Sequence, residues 1–587
     1  MDFHYTDEKN VQIVLSLLKA NNIKKVVVSP GATNESIVAS MQYDPYFEMF
    51  SCVDERSAAY MACGMAVESG EIVVLSCTGA TSSRNYMPAL TEAYYRHIPV
   101  LAITSSMSTI CIGHLHPQCT DRSTPPVDTV RASYCIEVIK DENDEWDRML
   151  KINEAIAELK RDGGGPVHIN LITRGCNDYS LKELPMVNTI KRISQNDDKP
   201  SLVGKNVLVF IGEKYRWSET DVYALDKFCN TFKTVALCDQ TSGYKGYYRV
   251  LSALVAAQED MIDSSLFECD VLIHIGGISG DYYTMGAIRA KEVWRVDEDG
   301  QMRDKFRRLT HVFQMPVADF FSYYASEGQF ENNERLEAFI RAKSQLEENL
   351  PQLPFSNAWI ASQLTRSLPE KSVVHLGILN TLRCWNFFEV DKTIQTYCNV
   401  GGFGIDGIVS TMMGAALCNP NKLYYAVLGD LAFFYDLNSI GNRNVTSNIR
   451  ILIVNNGRGV EFHTYRHSAS KFGEDTDKYI AAYGHNGMKS PTLVRDMAYS
   501  LGFEYLTASS ASEYNEVIGK FIDSEMSNRP IIFEVFTEKV DDADVLRLIR
   551  GINGDRSNRD LKSKMYGVFK DVVGKDIASK VKQIIKK

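Results

Sequence analysis

No run of about 18 apolar residues occurs in the 587-residue chain, so a membrane-spanning helix is not expected. A basic excess is also missing. The 74 acidic residues outnumber the 64 lysines and arginines for a net charge of -10, and a chain of that sign lacks the cationic face that nucleic acid requires. There is no Cys-x-x-Cys pair. The thirteen cysteines are scattered singletons, odd in number, which fits reduced and mostly buried thiols better than a disulfide framework. The opening MDFHYTDEKNVQIVLSLLKANNIKKVVV has no basic leader, apolar core and small-residue cleavage site, and reads as a helix leading into a strand. The expectation is a cytoplasmic protein acting on small molecules. A Gly-x-Gly-x-x-Gly turn is absent after the strands of the central third, which weighs against a nicotinamide or flavin enzyme built on that region.

What is present is a repeating α/β pattern. Short β-branched runs alternate with segments of helical period, the signature of parallel βαβ units. In the first third the runs are KKVVVSPG, EIVVLSCTG, PVLAITSS and GPVHINLI, apolar on both faces as strands covered by helices on both sides must be. The segment from Gly175 to Ser201 shows no sustained period and reads as an interdomain linker. A second set follows with NVLVFIGE, FKTVALCD, CDVLIHIGG and EVWRVDE, then a charged helical connector, then a third set with KSVVHLG, LYYAVLGD, IRILIVNN and PIIFEVF. The expected fold is α/β with three doubly wound parallel-sheet domains, at 1–180, 200–330 and 355–545. Residues 546–587 form an amphipathic helical tail, read as a solvated packing helix.

The most informative stretch is AVLGDLAFFYDLNSIGNRNVTSNIRILIVNNGRG, residues 426–459. Gly429 and Asp430 end one strand, and Asn456 follows the end of the next. Parallel strands share one carboxyl edge, where open α/β sheets bind ligands. Asp430 and Asn456, with the Arg458 carbonyl as a third oxygen, therefore suit a hard cation such as Mg2+ that leaves positions for phosphate.

This Gly-Asp and Asn-Asn spacing resembles the cofactor-anchoring motif of the thiamine diphosphate-dependent 2-oxo acid decarboxylases and carboligases. The usual second glycine after the aspartate is Leu431 here, and the longer string GDLAFFYDLN is similar to one branch, the menaquinone-pathway 2-succinyl-5-enolpyruvyl-6-hydroxy-3-cyclohexene-1-carboxylate synthases. VVVSPGATN, FEMFSCVDERSAAYMACGMA, SCTGATSSRNYMPAL and GPVHINL resemble the family's pyrimidine-binding domain. The resemblance implies, in order, a pyrimidine-binding domain, a central domain and a diphosphate-binding domain, with thiamine diphosphate and Mg2+ as cofactors. It also implies that Glu55 is the glutamate whose hydrogen bond to the aminopyrimidine ring promotes removal of the reactive C2 proton. Gly429, Asp430, Leu431 and Asn456 would then lie along the cofactor, with Asp430, Asn456 and Arg458 around the metal. Ile405 would be the aliphatic wedge that bends it. A site shared between the Glu55 domain of one subunit and the diphosphate domain of another implies a homodimer or homotetramer.

The substrate end departs from that branch. Arg383 matches an arginine that grips a substrate carboxylate there, and a guanidinium fork suits that task. Val400 stands where another arginine is usual, Asp281 and Tyr282 fall near an expected Lys-Arg pair, and Ala32 and Thr33 replace a serine and an arginine. The acceptor is therefore expected to be less anionic. His116, and with it His114, fall in a loop whose counterparts face substrate, and His463 lies beyond the metal motif. The reaction implied is decarboxylation of a 2-oxo acid with transfer of the acyl-anion equivalent to an acceptor. Simple decarboxylation, an acetolactate-type condensation, or a catalytically silent regulatory subunit remain open.

Overall fold

The computed structural model describes residues 4–175 and 178–553. It divides into two compact units: Met1–Pro200 with Glu292–Met315, and Ser201–Lys291 with the rest of the chain from Pro316. Three sheets of six, seven and six strands run through it, and every described strand pairing within them is parallel. The α/β class and the triple-sheet organisation expected from the strand runs are both present.

In the first unit the six strands lie in the order Glu48–Ser51, Lys25–Val28, Val73–Thr78, Val100–Ser106, Val167–Ile172, Ala132–Ile136. Val73–Thr78 and Val167–Ile172 are buried along their whole length, as central strands with both faces covered must be. Helix Lys9–Ala20 covers one face through Val11, Val14, Leu17 and Leu18. Helix Glu55–Ser69 covers the other through Ala58, Ala59, Ala62 and Ala66, whose small side chains let it sit close to the sheet.

The segment read as a plain linker contains a strand. Lys191–Ser194 pairs in parallel with Leu309–Gln314, His311 facing Lys191, and so belongs to a sheet. Four residues at a sheet edge, two basic, one apolar and one a serine, show no period along the sequence, so pattern reading passes over them. In the second unit, Arg249–Leu251, Ala236–Cys238, Val207–Ile211 and Glu268–Ile275 lie side by side. A separate six-stranded sheet follows in the order Gln395–Cys398, Val373–Leu376, Tyr424–Gly429, Ile449–Asn455, Ile531–Phe536, Glu504–Ala508. Helix Ile408–Cys418 packs on it through Ile408, Val409, Met412 and Ala416. The start of the expected tail falls in helix Lys539–Arg550; its remainder, 554–587, lies outside the described residues.

Candidate functional site

Strands Tyr424–Gly429 and Ile449–Asn455 are neighbours in register, Gly429 opposite Val454. Asp430 and Asn456 are therefore delivered to adjacent strand ends on one edge, as the spacing demands. Asp430 opens the short helix Asp430–Tyr435 and is only 4% exposed. Burial, with a smaller contribution from the carboxylates of Glu534 and Asp542, pushes its pKa up to about 7. A buried carboxyl with two other acids nearby is a costly arrangement that a divalent cation relieves. Asn456 donates from Nδ2 to Asp542 at 2.9 Å, and its Oδ1 accepts only the amide of Arg458, at 3.3 Å. The Arg458 carbonyl accepts the Val460 amide at 3.0 Å and keeps its second lone pair. Carboxylate, amide and carbonyl oxygens form the donor set that Mg2+ prefers, so these residues fit the group the sequence motif implies. No cluster of three His, Cys, Asp or Glu side chains suited to a metal occurs among the described residues.

The Arg458 side chain turns elsewhere. It pairs with Asp477 and lies over the Tyr483 ring at 4.0 Å. Asp477 also accepts from His463 Nε2 at 2.7 Å and meets Lys539 at 3.5 Å. Burial raises the Asp477 pKa, and its bonds to His463 and Arg458 outweigh that and hold it low. His463 is thereby tied to a structural pair.

Ile405 lies in the connection between Gln395–Cys398 and Ile408–Cys418, half-buried against the core beneath that helix. Gly407, at φ 79°, is the helix N-cap and needs the left-handed region that glycine adopts without strain. Gly401, Gly402 and Gly429 would each turn an added Cβ into open space, so the strand ends around Ile405 and Asp430 border a gap.

Arg383, on the short helix Asn380–Trp385 beyond strand Val373–Leu376, is already engaged. Its Nη1 and Nη2 donate to the two oxygens of Glu461 at 2.5 and 3.0 Å. Burial lowers its pKa, but the Glu461 bonds more than compensate and hold it above the ordinary guanidinium value. The guanidinium that the sequence offered to a substrate carboxylate thus has a carboxylate of its own chain in its fork. Asp281, read as a substitute in the acceptor pocket, is buried and caps helix Tyr282–Ala287 by accepting the Tyr283 and Thr284 amides. Val400 is buried as well.

In the first unit Glu55 is the first residue of helix Glu55–Ser69, behind the N-cap Asp54, which accepts the Ser57 amide. Burial raises the Glu55 pKa, and bonds from Ser82 and Asn85 bring it below the ordinary value; Asn85 Nδ2 stands 3.1 Å from Oε2. Ser82 and Asn85 sit on helix Thr81–Asn85, set by Ala80 in a strained backbone at φ 57° and ψ -127°. Such strain is retained where a turn must aim side chains. His114 and His116 lie exposed in the loop after strand Val100–Ser106, with no hydrogen bond to either imidazole among the described residues. Glu461, Asp477, Asp542, Ser82 and Asn85 escaped the sequence reading. Only Asp542 carried a signal there, as an acid in the first turns of a helix directly after a strand.

Residues 9–124 match the family described as thiamine pyrophosphate enzyme, N-terminal TPP binding domain. Over 566 residues the chain is 30% identical to the 2-succinyl-5-enolpyruvyl-6-hydroxy-3-cyclohexene-1-carboxylate synthase of Bacteroides thetaiotaomicron, covering 92% of this chain and 98% of that protein. The enzyme of the same name from Phocaeicola vulgatus is 30% identical over 568 residues, with the same coverage. That of Porphyromonas gingivalis is 28% identical over 580 residues, covering 93% and 97%. Identity sustained across all three sheets, together with the strand-end placement of Asp430 and Asn456, establishes that the chain belongs to the thiamine pyrophosphate enzyme family of which these synthases are members.

Proposed function

We propose that the chain is a thiamine diphosphate- and Mg2+-dependent carboligase, which decarboxylates a 2-oxo acid and transfers the resulting acyl-anion equivalent to an acceptor. The observation that carries this is the pair of adjacent strand ends bearing Asp430 and Asn456, one a buried carboxyl with a raised pKa, the other an amide whose oxygen is left for a ligand. Bound thiamine diphosphate supplies the carbanion chemistry, and the chain's own groups do the rest. Asp430, Asn456 Oδ1 and the Arg458 carbonyl hold the cation, while Gly429 and Leu431 line the diphosphate. Ile405 would give the cofactor an apolar support. Glu55, kept ionised by Ser82 and Asn85, accepts a hydrogen bond from the ring and takes up and returns a proton at its carboxyl. His116 and His114 stand on an exposed loop from which an imidazole can hand a proton to substrate.

Arg383 defines the acid. With Glu461 filling its fork the guanidinium has no open bidentate face, so this part of the mouth favours a 2-oxo acid without a second carboxylate. A homodimer or larger assembly completes the site. Helix Glu55–Ser69 supports this, because it leaves Tyr60, Met61 and Val67 exposed at 48, 39 and 55% beside the open Gly64. Free cysteines throughout the described residues, and no helix among them long and apolar enough to cross a membrane, agree with a cytoplasmic setting.

The test is a panel of 2-oxo acids, mono- and dicarboxylic, incubated with thiamine diphosphate, Mg2+ and carbonyl or enone acceptors. Carbon dioxide release coupled to a new carbon-carbon bond by mass spectrometry is the expected result. Free aldehyde in the same yield as carbon dioxide would establish simple decarboxylation instead, and no turnover of any acid would favour a silent subunit.

A further inference from the structure

Asp542 is fully buried, on helix Lys539–Arg550 directly after the strand Ile531–Phe536. Its Oδ1 accepts the Asn357 amide at 2.6 Å. Its Oδ2 accepts the Thr537 hydroxyl at 2.6 Å and Asn456 Nδ2 at 2.9 Å. A backbone amide only donates, so Oδ1 is an acceptor there, and Oδ2 lies within hydrogen-bond distance of both the Thr537 hydroxyl and Asn456 Nδ2.

That arrangement dictates how Asn456 can stand. The two ends of a side-chain amide are nearly the same shape, and only hydrogen bonding tells them apart. The Asn456 NH2 group faces Asp542 Oδ2, which the Thr537 hydroxyl and the Asn357 amide on Oδ1 hold in place. The oxygen is therefore turned the other way, where its one bond is a long contact at 3.3 Å to the Arg458 amide within the same turn. Asp430 lies at the neighbouring strand end.

We propose that Asp542 is a positioning residue for the cofactor's cation, holding the Asn456 amide so that its oxygen rather than its NH2 group faces the metal. This rests on the cofactor reading above. Asp542 is no metal ligand itself, and its action passes through Asn456.

Substitution of Asp542 by asparagine keeps the shape but removes the dictate, because the new amide can turn its own NH2 group toward Asn456 and draw the Asn456 oxygen to itself. The cation then meets NH2, a group with no lone pair to give. Binding of Mg2+ in the presence of thiamine diphosphate, measured by calorimetry on the purified full chain, is expected to weaken at least tenfold in D542N. In the N456A background the same change is expected to add less than twofold, since nothing is left to orient. The exchanged pair N456D/D542N restores an oxygen facing the cation and a matched hydrogen bond behind it. It conserves net charge and is expected to bind Mg2+ within threefold of wild type.

Wild-type affinity in D542N, effects of D542N and N456A that simply multiply, or an exchanged pair no better than D542N would each overturn the inference. An exchanged pair that binds Mg2+ no more tightly than N456D alone would overturn the inference even where D542N alone fails to fold. Wild-type protein that binds neither Mg2+ nor thiamine diphosphate would overturn the cofactor reading, and this inference with it.

Discussion

At the scale of single residues, the proposed function turns on three carboxylates, Glu55, Asp430 and Glu461. Glu55→Gln removes the acceptor that Ser82 and Asn85 keep ionised, and is expected to lower turnover at least a hundredfold while leaving thiamine diphosphate affinity within about fivefold, a contrast that steady-state kinetics and fluorescence titration together resolve. Asp430→Asn should abolish Mg2+-dependent cofactor binding altogether, because it withdraws the one charged oxygen of the set. Glu461→Gln frees the Arg383 fork, and the ratio of kcat/KM for a dicarboxylic over a monocarboxylic 2-oxo acid is expected to rise at least tenfold. An unchanged ratio would mean that Arg383 does not read the acid. The places of Asp430 and Asn456 could be read in the sequence because strand ends are visible as breaks in apolar runs, whereas Glu55 is singled out by the resemblance of its neighbouring segments to the family. Glu461 and Asp477 could not. Their meaning lies in partners 78 and 14 positions away across folded loops, and no local pattern encodes such a pairing.

At the scale of elements, the strands passed over in reading the chain are nearly all edges. Ala132–Ile136, Arg249–Leu251, Lys191–Ser194, Gln395–Cys398 and Glu504–Ala508 each end a sheet. An edge strand is covered less completely, so it tolerates polar residues and loses the continuous apolar run that marks its central neighbours. Leu309–Gln314 is the interior exception, half-buried at Thr310 and His311. The strained turn at Ala80 carries a prediction of its own. Glycine reaches φ 57° and ψ -127° at little cost, so Ala80→Gly is expected to raise the melting temperature, the gain being on the order of 1 kcal/mol less the added freedom of the unfolded chain. Activity should fall in the same variant, since a slack turn no longer aims Ser82 and Asn85 at Glu55.

At the scale of the whole molecule, acid is the expected weakness. His168 is buried between Thr104 and Ser133, and burial, with Arg122 and Arg84 nearby, pushes its pKa down to about 3. A histidine whose folded pKa is depressed binds fewer protons in the folded than in the unfolded state. Stability is therefore lost as pH falls from about 6.5 toward 3, by about 2 kcal/mol at pH 5 from this group alone. His375, buried in the second unit and pushed down to about 4, adds in the same direction. Urea midpoints at pH 7 and pH 5 should move apart in the wild type and draw closer in His168→Asn, provided the variant's unfolding stays two-state.

The division of the chain into units has a temporal side. The first unit takes residues 1–200 and then waits for 292–315, where the strand Leu309–Gln314 pairs with Lys191–Ser194. During synthesis at roughly 5–20 residues per second, those strands remain unmatched for about 6 to 23 seconds while the intervening segment emerges. A nascent chain stalled before residue 292 should therefore expose an open sheet edge to chaperones, and one released past residue 315 should not.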